Sequence, residues 1–155
     1  MKKLVIGLFA VGLVLTFAVK SMAADTANVT VSATVLSSCG FTSAGDLSFG
    51  NIDPGLPGPY TPVVTQLNVQ CTNGQAFTVT DDGGNSGVPG GPFYMLSGLN
   101  QLPYTFSYNN AGAGIGFGGA AFDVSLNING SVSQANAQAA VPGVYGDTIL
   151  MSVLP

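Results

Sequence analysis

The sequence contains no histidine, no arginine and no glutamate. Lysine occurs at Lys2, Lys3 and Lys20 and nowhere beyond. Each absence closes off a chemistry. Without imidazole there is no His-based triad and no His-containing zinc site. Downstream of Lys20 no cation remains to displace counterions from phosphates, so nucleic acid is excluded as a partner. A polybasic membrane patch is excluded for the same reason. The acids are seven Asp, from Asp25 onward. Paired carboxylates leave a glycosidase standing on composition alone. Ser, Thr and Tyr are plentiful, but no general base accompanies them, so no enzyme and no cofactor is expected. Helical periodicity is missing as well: no window beyond the N-terminus repeats at 3.6 residues.

What is present begins with an address. Lys2 and Lys3 precede an apolar run at 4–19, which Lys20 closes. The run is short for a membrane span, which needs roughly 20 residues. Ser21 and Ala23 are small residues at the −3 and −1 positions of a cleavage site. The pattern predicts a secretory signal peptide over 1–23, removed after Ala23 or Ala24. An exported chain with two cysteines, Cys39 and Cys71, predicts one disulfide.

The rest reads as strands and turns. Ala27, Val29, Val31, Ala33 and Val35 alternate with Thr, Asn and Ser, the pattern of a half-buried strand. Leu47 and Phe49 mark a weaker strand. The segment 51–62 is rich in Pro and Gly and predicts a loop. Residues 63–70 predict one strand with Val63, Leu67, Val69 and Cys71 on one face. Asn73-Gly74 predicts a hairpin turn into a strand bearing Phe77 and Val79. Tyr104, Phe106 and Tyr108 share a face of the next strand, a Gly-rich loop covers 110–121, and 122–129 alternates again. The last strand, 147–154, is apolar on both faces, which predicts cover on both sides. Twenty-two Gly and nine Pro suit such a turn-rich chain. Six or seven short strands predict an all-β antiparallel sandwich or barrel.

Three patches invite chemistry. Asp81, Asp82 and Gly83 hint at a calcium loop, but the alternating ligands and the closing Glu are missing, so a plain β-turn is expected. The glycines at 112–119 contain a G-x-G pattern with no following helix and no Lys, so no phosphate loop is expected. Tyr104, Phe106 and Tyr108 offer a sugar-binding strip, but their alternation predicts a core-facing sheet surface.

The order of landmarks resembles the spore coat U domain family, which includes the pilins of archaic chaperone–usher pili. The alternating segment 28–35 is followed by Cys39. Leu47, Phe49 and Gly50 are similar to an L-x-F-G motif. Val69, Cys71, Thr72, Asn73 and Gly74, then Asp82, Gly83 and Gly84, resemble v-x-C-t-n-G and a D-G-G turn. Met95 with Gly98, Leu102 with Pro103 and Tyr104, and Tyr145 with Asp147 and Thr148 complete the series. The chain departs from the family in three ways. Phe93-Tyr94 stands where paired Arg is frequent, Leu154-Pro155 stands where an aromatic is usual, and cations are missing.

The resemblance implies an immunoglobulin-like antiparallel β-sandwich that lacks one strand and is completed by a donor strand from another subunit. It implies three parts: the signal peptide 1–23, a donor segment 24–38 and a pilin domain 39–155. Ala27, Val29, Val31, Ala33 and Val35 are the donor residues expected; Ile149, Met151 and Val153 are expected in the acceptor groove. The implied partners are identical or related pilins, a periplasmic chaperone and an outer-membrane usher. The implied place is a surface fimbria serving adhesion and biofilm formation. Two alternatives stay open: a self-contained secreted coat or matrix protein, and a carbohydrate-binding β-sandwich. With seven Asp and no cation past Lys20, filaments of such a chain are expected to bundle more as salt rises or as pH falls below about 4.

Overall fold

A computed structural model describes residues 25–155. The expected signal peptide lies outside the described residues. The chain divides at Ala33 and Thr34 into an N-terminal unit and a compact unit, Thr34–Pro155. Residues 25–38 carry no strand, although the alternation predicts one. Val29, Val31 and Val35 are 85%, 88% and 82% exposed. Alternation supplies a strand with an apolar face, but a strand exists only in a ladder with a partner.

The compact unit is all-β, with eleven short strands and one short helix among the described residues. In chain order the strands are β1 (Cys39–Phe41), β2 (Asp46–Ser48), β3 (Val63–Thr65), β4 (Asn68–Cys71), β5 (Ala76–Asp81), β6 (Phe93–Ser97), β7 (Asn100–Ser107), β8 (Ala111–Ala113), β9 (Val124–Ser125), β10 (Asn129–Ser131) and β11 (Met151–Leu154). The helix α1 (Gln134–Ala139) lies between β10 and β11. All pairings are antiparallel, in the orders β1-β4-β9, β10-β7-β6, β11-β5-β8 and β2-β3. No closed barrel forms among them, and the arrangement is a β-sandwich.

The core follows from period-2 burial. In β5, Phe77 and Val79 are buried while Thr78 and Thr80 are exposed. They pack with Leu67, Val69 and Cys71 from β4 and its approach, and with Leu126 and Ile128 between β9 and β10. A second, smaller cluster joins Leu102, Val132 and Ala137, with Phe49, Met95 and Tyr104 against it. Cys39 and Cys71 stand directly opposite one another in the β1–β4 register and are joined by a disulfide. The ladder bond Thr72 N to Ser38 O (2.9 Å) lies one residue away, so the cysteines form a non-hydrogen-bonded pair, where side chains stand closest. Their Cα atoms are 4.1 Å apart.

Several local expectations are corrected. The single strand expected over 63–70 is two, β3 and β4, in different sheets, and Val63 is exposed rather than on the Leu67 face. Asn73-Gly74 makes no hairpin: it carries the chain from the β4 sheet to the β5 sheet, with Gly74 N donating to Gly114 O. The 122–129 strand breaks at Asn127, whose φ of 47° is left-handed, so β9 and β10 join different sheets. The final strand begins at Met151, not Asp147, and Leu150 and Leu154 are exposed, so it is covered on one face only. β6, β8 and α1 were not expected. The helix had a readable signal: Ser133 precedes a run of Ala, Gln and Asn, and its side chain caps the helix by accepting from Asn136 N at 3.1 Å.

Candidate functional site: a cleft between two strand edges

The two core clusters share an opening. A cleft of about 1070 Å³ runs past both of them. Its floor is apolar, with Leu67 and Ile128 at one end and Met95, Leu102 and Ala137 at the other, and Tyr104 and Phe106 of β7 also line it. One wall is the β2 region, presenting Leu47, Phe49 and Ile52. The other is the 140–151 segment, presenting Val144, Tyr145, Ile149 and Met151.

Both walls end in unsatisfied strand edges. β2 pairs with β3 alone, and β11 is the outer strand of its sheet. In β11 the ladder alternates. Leu150 O accepts from Asp82 N (3.1 Å), which places the hydrogen-bonded positions at even-numbered residues. Met151 and Val153 therefore turn their backbone N–H and C=O to the open side. Of the three groove residues expected from the sequence, Ile149 and Met151 line the cleft, and Val153 packs on the main core cluster. The N-terminal side chains Ala27, Val29, Val31, Ala33 and Val35 are exposed.

Carboxylates brace the 146–150 wall. Asp147 accepts the Tyr104 hydroxyl at 2.7 Å and the backbone amides of Asn85 and Thr148 at 2.8 Å each. Asn85 Nδ2 donates in turn to Tyr94 O and Gly146 O. Asp82 accepts from Gly84 N at 2.9 Å and Leu150 N at 3.0 Å. Those two amides hold its carboxyl below the usual carboxylate value, Gly84 contributing most. Asp81 accepts the Tyr108 hydroxyl at 2.7 Å and the amides of Gly83 and Gly90. Burial, then the bond to Asp147, pushes the Tyr104 phenol far above its ordinary value. Burial, then the bond to Asp81, pushes Tyr108 up to about 12. The acidic 81–84 segment thus spends its oxygens on its own loop and wall. Among the described residues no cluster of three acids or cysteines is placed to hold a metal.

The aromatic strip is absorbed in the same way. Tyr104, Phe106 and Tyr108 are half-buried, form a chain of ring contacts with Phe49 and Phe93, and give two hydroxyls to Asp147 and Asp81. The 134–145 part of the site was not legible, because α1 and the unpaired wall carry no period-2 pattern.

An antiparallel sandwich opened along one seam, with an N-terminal alternating segment and one cross-strand disulfide, is the context in which comparison with known proteins becomes informative. The Spore Coat Protein U domain matches residues 25–152. The chain belongs to this family. No curated protein matches it. The Spore Coat Protein U domain is found in subunits of fimbriae built by the chaperone–usher route, and it is a structural, pilin-type domain.

Proposed function

We propose that this Spore Coat Protein U protein is a structural pilin of a surface fimbria, polymerised by donor-strand complementation and serving adhesion and biofilm formation. The observation that carries the reading is the cleft: an apolar floor between two strand edges, β2 and β11, with no strand of the described residues between them. An arriving extended segment would complete both ladders and cover both cores.

The segment 24–38 is the donor in this reading, and 39–155 is the acceptor domain. Ala27, Val29, Val31, Ala33 and Val35 give one apolar face, while Thr, Asn and Ser give a wet one. Each Val buried contributes about 1.5–3 kcal/mol, and each net ladder bond about 0.5–1.5 kcal/mol. Backbone pairing supplies affinity and the apolar face supplies register, the physics of strand addition. Each subunit offers a donor at one place and an acceptor at another, so the contact is head-to-tail and grows a filament. A free donor and an open cleft also explain the partners. A periplasmic chaperone covers the cleft before assembly, and an outer-membrane usher exchanges that cover for the next subunit's donor. The signal peptide 1–23 routes the chain to that compartment.

The test is a gel of protein sheared from cells, run in SDS with and without boiling. An unboiled ladder that boiling collapses to one band is expected. Deleting 24–35 should abolish the ladder and leave the chaperone-bound subunit. A single band in both lanes overturns the reading.

A further inference from the structure

Among the outer strands of the four sheets, β8 is one that does not line the cleft. β8 closes the far side of the β11-β5-β8 sheet, and no strand of the described residues lies beyond it. Its inward bonds run through alternate residues. Asn110 O accepts from Val79 N, Gly114 N donates to Gln75 O, and Gly114 O accepts from Gly74 N, each at 2.8 Å. Gly112 stands opposite Phe77 between them. Ala111 and Ala113, out of phase with these, turn their N–H and C=O outward.

The flanking sequence is unusual for such a place. Residues 111–122 hold no polar or charged side chain. Packing explains the inner glycines: a Cβ at Gly112 would sit 2.6 Å from the Phe77 ring, and one at Gly114 would sit 2.5 Å from the carbonyl oxygens of Cys71 and Thr72. Packing does not explain the outer residues. Ala111 and Ala113 are exposed, and Ile115 and Phe117 are each 49% exposed. Free edges are ordinarily guarded by a charge, a proline or a bulge. This one has no charge and no proline.

Charge decides what can cover it. The described residues carry seven Asp and no cation, so two copies repel wherever carboxylates face each other. The charge-free β8 edge is spared that repulsion. Its nearest acid in sequence, Asp123, is occupied, accepting from Thr42 Oγ1 at 2.8 Å and Gln70 Nε2 at 2.7 Å. The edge is also self-complementary. With Gly112 on a two-fold axis, Ala111 of one copy faces Ala113 of the other, giving two hydrogen-bonded pairs and about four ladder bonds.

We propose that β8, with Ile115 and Phe117 beside it, is a lateral contact between two copies of this chain, paired edge to edge across a two-fold axis. The contact lies apart from the cleft and is available to a lone subunit or to a filament. In a filament it recurs along the length, and avidity turns a weak pairing into side-by-side bundling.

The test uses the exported protein at about 0.01 M and about 1 M salt, conditions between which carboxylate repulsion is screened from roughly 30 Å to 3 Å. Lateral association is read as low-speed pelleting, and strand exchange is read separately as the unboiled ladder. Wild type should pellet at high salt. The double variant Ala111→Pro, Ala113→Pro, which removes the two outward N–H donors and keeps the inward bonds of Gly112 and Gly114, should pellet at least tenfold less with its ladder unchanged. If wild type has no ladder, the same two proteins are compared by sedimentation velocity for dimer formation, so failure of the pilin reading leaves this inference testable. If the double variant is not exported, Ile115→Ser with Phe117→Ser replaces it. Equal association of wild type and variant overturns the proposal. So does wild type that stays dispersed at high salt, including protein that coats vesicles or plastic without self-associating.

Discussion

Replacing both Cys39 and Cys71 with Ala tests how far the open sandwich depends on its one covalent staple. The bridge closes a loop with a sequence separation of 32 residues. In the chain-entropy account such a loop contributes about 3.7 kcal/mol by restricting the unfolded chain. Cys71 is fully buried in the main core, so its replacement adds a small cavity term to that loss. Domains of this size are stable by about 5–15 kcal/mol, and one with a cleft of about 1070 Å³ along its core has less buried apolar surface to draw on. The assay is urea unfolding of the purified protein and the double variant, followed by far-UV circular dichroism. With a slope of about 1–3 kcal/mol/M, the midpoint should fall by about 1–4 M. The slope itself should rise, because an unbridged unfolded chain exposes more surface. A midpoint shift below about 0.5 M would refute the argument. It would mean that the β1–β4 ladder, and not the bridge, fixes the start of the domain.

Asp82→Asn should destabilise the protein at neutral pH and leave it unchanged in strong acid. The folded carboxyl lies below its unfolded value of 3.8, so its contribution is present above that value and is lost as pH falls through the folded one; parallel acid titrations followed by circular dichroism check this. Gly84→Ala should cost more than 1 kcal/mol in urea midpoint experiments, since the new Cβ would stand 2.6 Å from both Asp147 oxygens at a φ of +55°. Tyrosinate absorbance should show Tyr108 ionising near 12, and Tyr108→Phe should remove that step. Leu126→Ala, at a site 1% exposed, should cost about 2–5 kcal/mol by thermal unfolding.

Fold class was legible wherever burial imposed a period of two. Phe77 and Val79, Leu126 and Ile128, and the Tyr104–Phe106–Tyr108 face all sit where alternation put them. Sheet membership was not legible. A strand that changes sheets keeps its alternation, so Val63 and Leu67 looked like one strand although β3 and β4 pair elsewhere. Asn127 looked like one more polar outer position, because a left-handed φ leaves no mark in hydropathy. β8 was hidden for the opposite reason. Its inner position is Gly112, the residue that fits over Phe77, so the strand has no apolar alternation to read.

The cleft shows the same limit in its walls. Ile149 and Met151 were readable as apolar positions in a strand-like run, and Leu47 and Phe49 as an alternating pair. What pattern does not give is the missing neighbour, since a strand with one partner has the same sequence signature as a strand with two. The best sequence sign of an unfilled seam lies away from it, in the 27–35 alternation. In a chain with so few charges, an exposed alternating segment that carries no strand is a liability unless something covers it. In the donor-strand reading proposed above, the two halves of the pattern among the described residues, an apolar face without a ladder and two ladders without a strand, answer each other. A sugar-binding module leaves both unexplained, whereas a self-contained chain that folds 27–35 into its own cleft would account for both and would give a single band in both lanes of the gel.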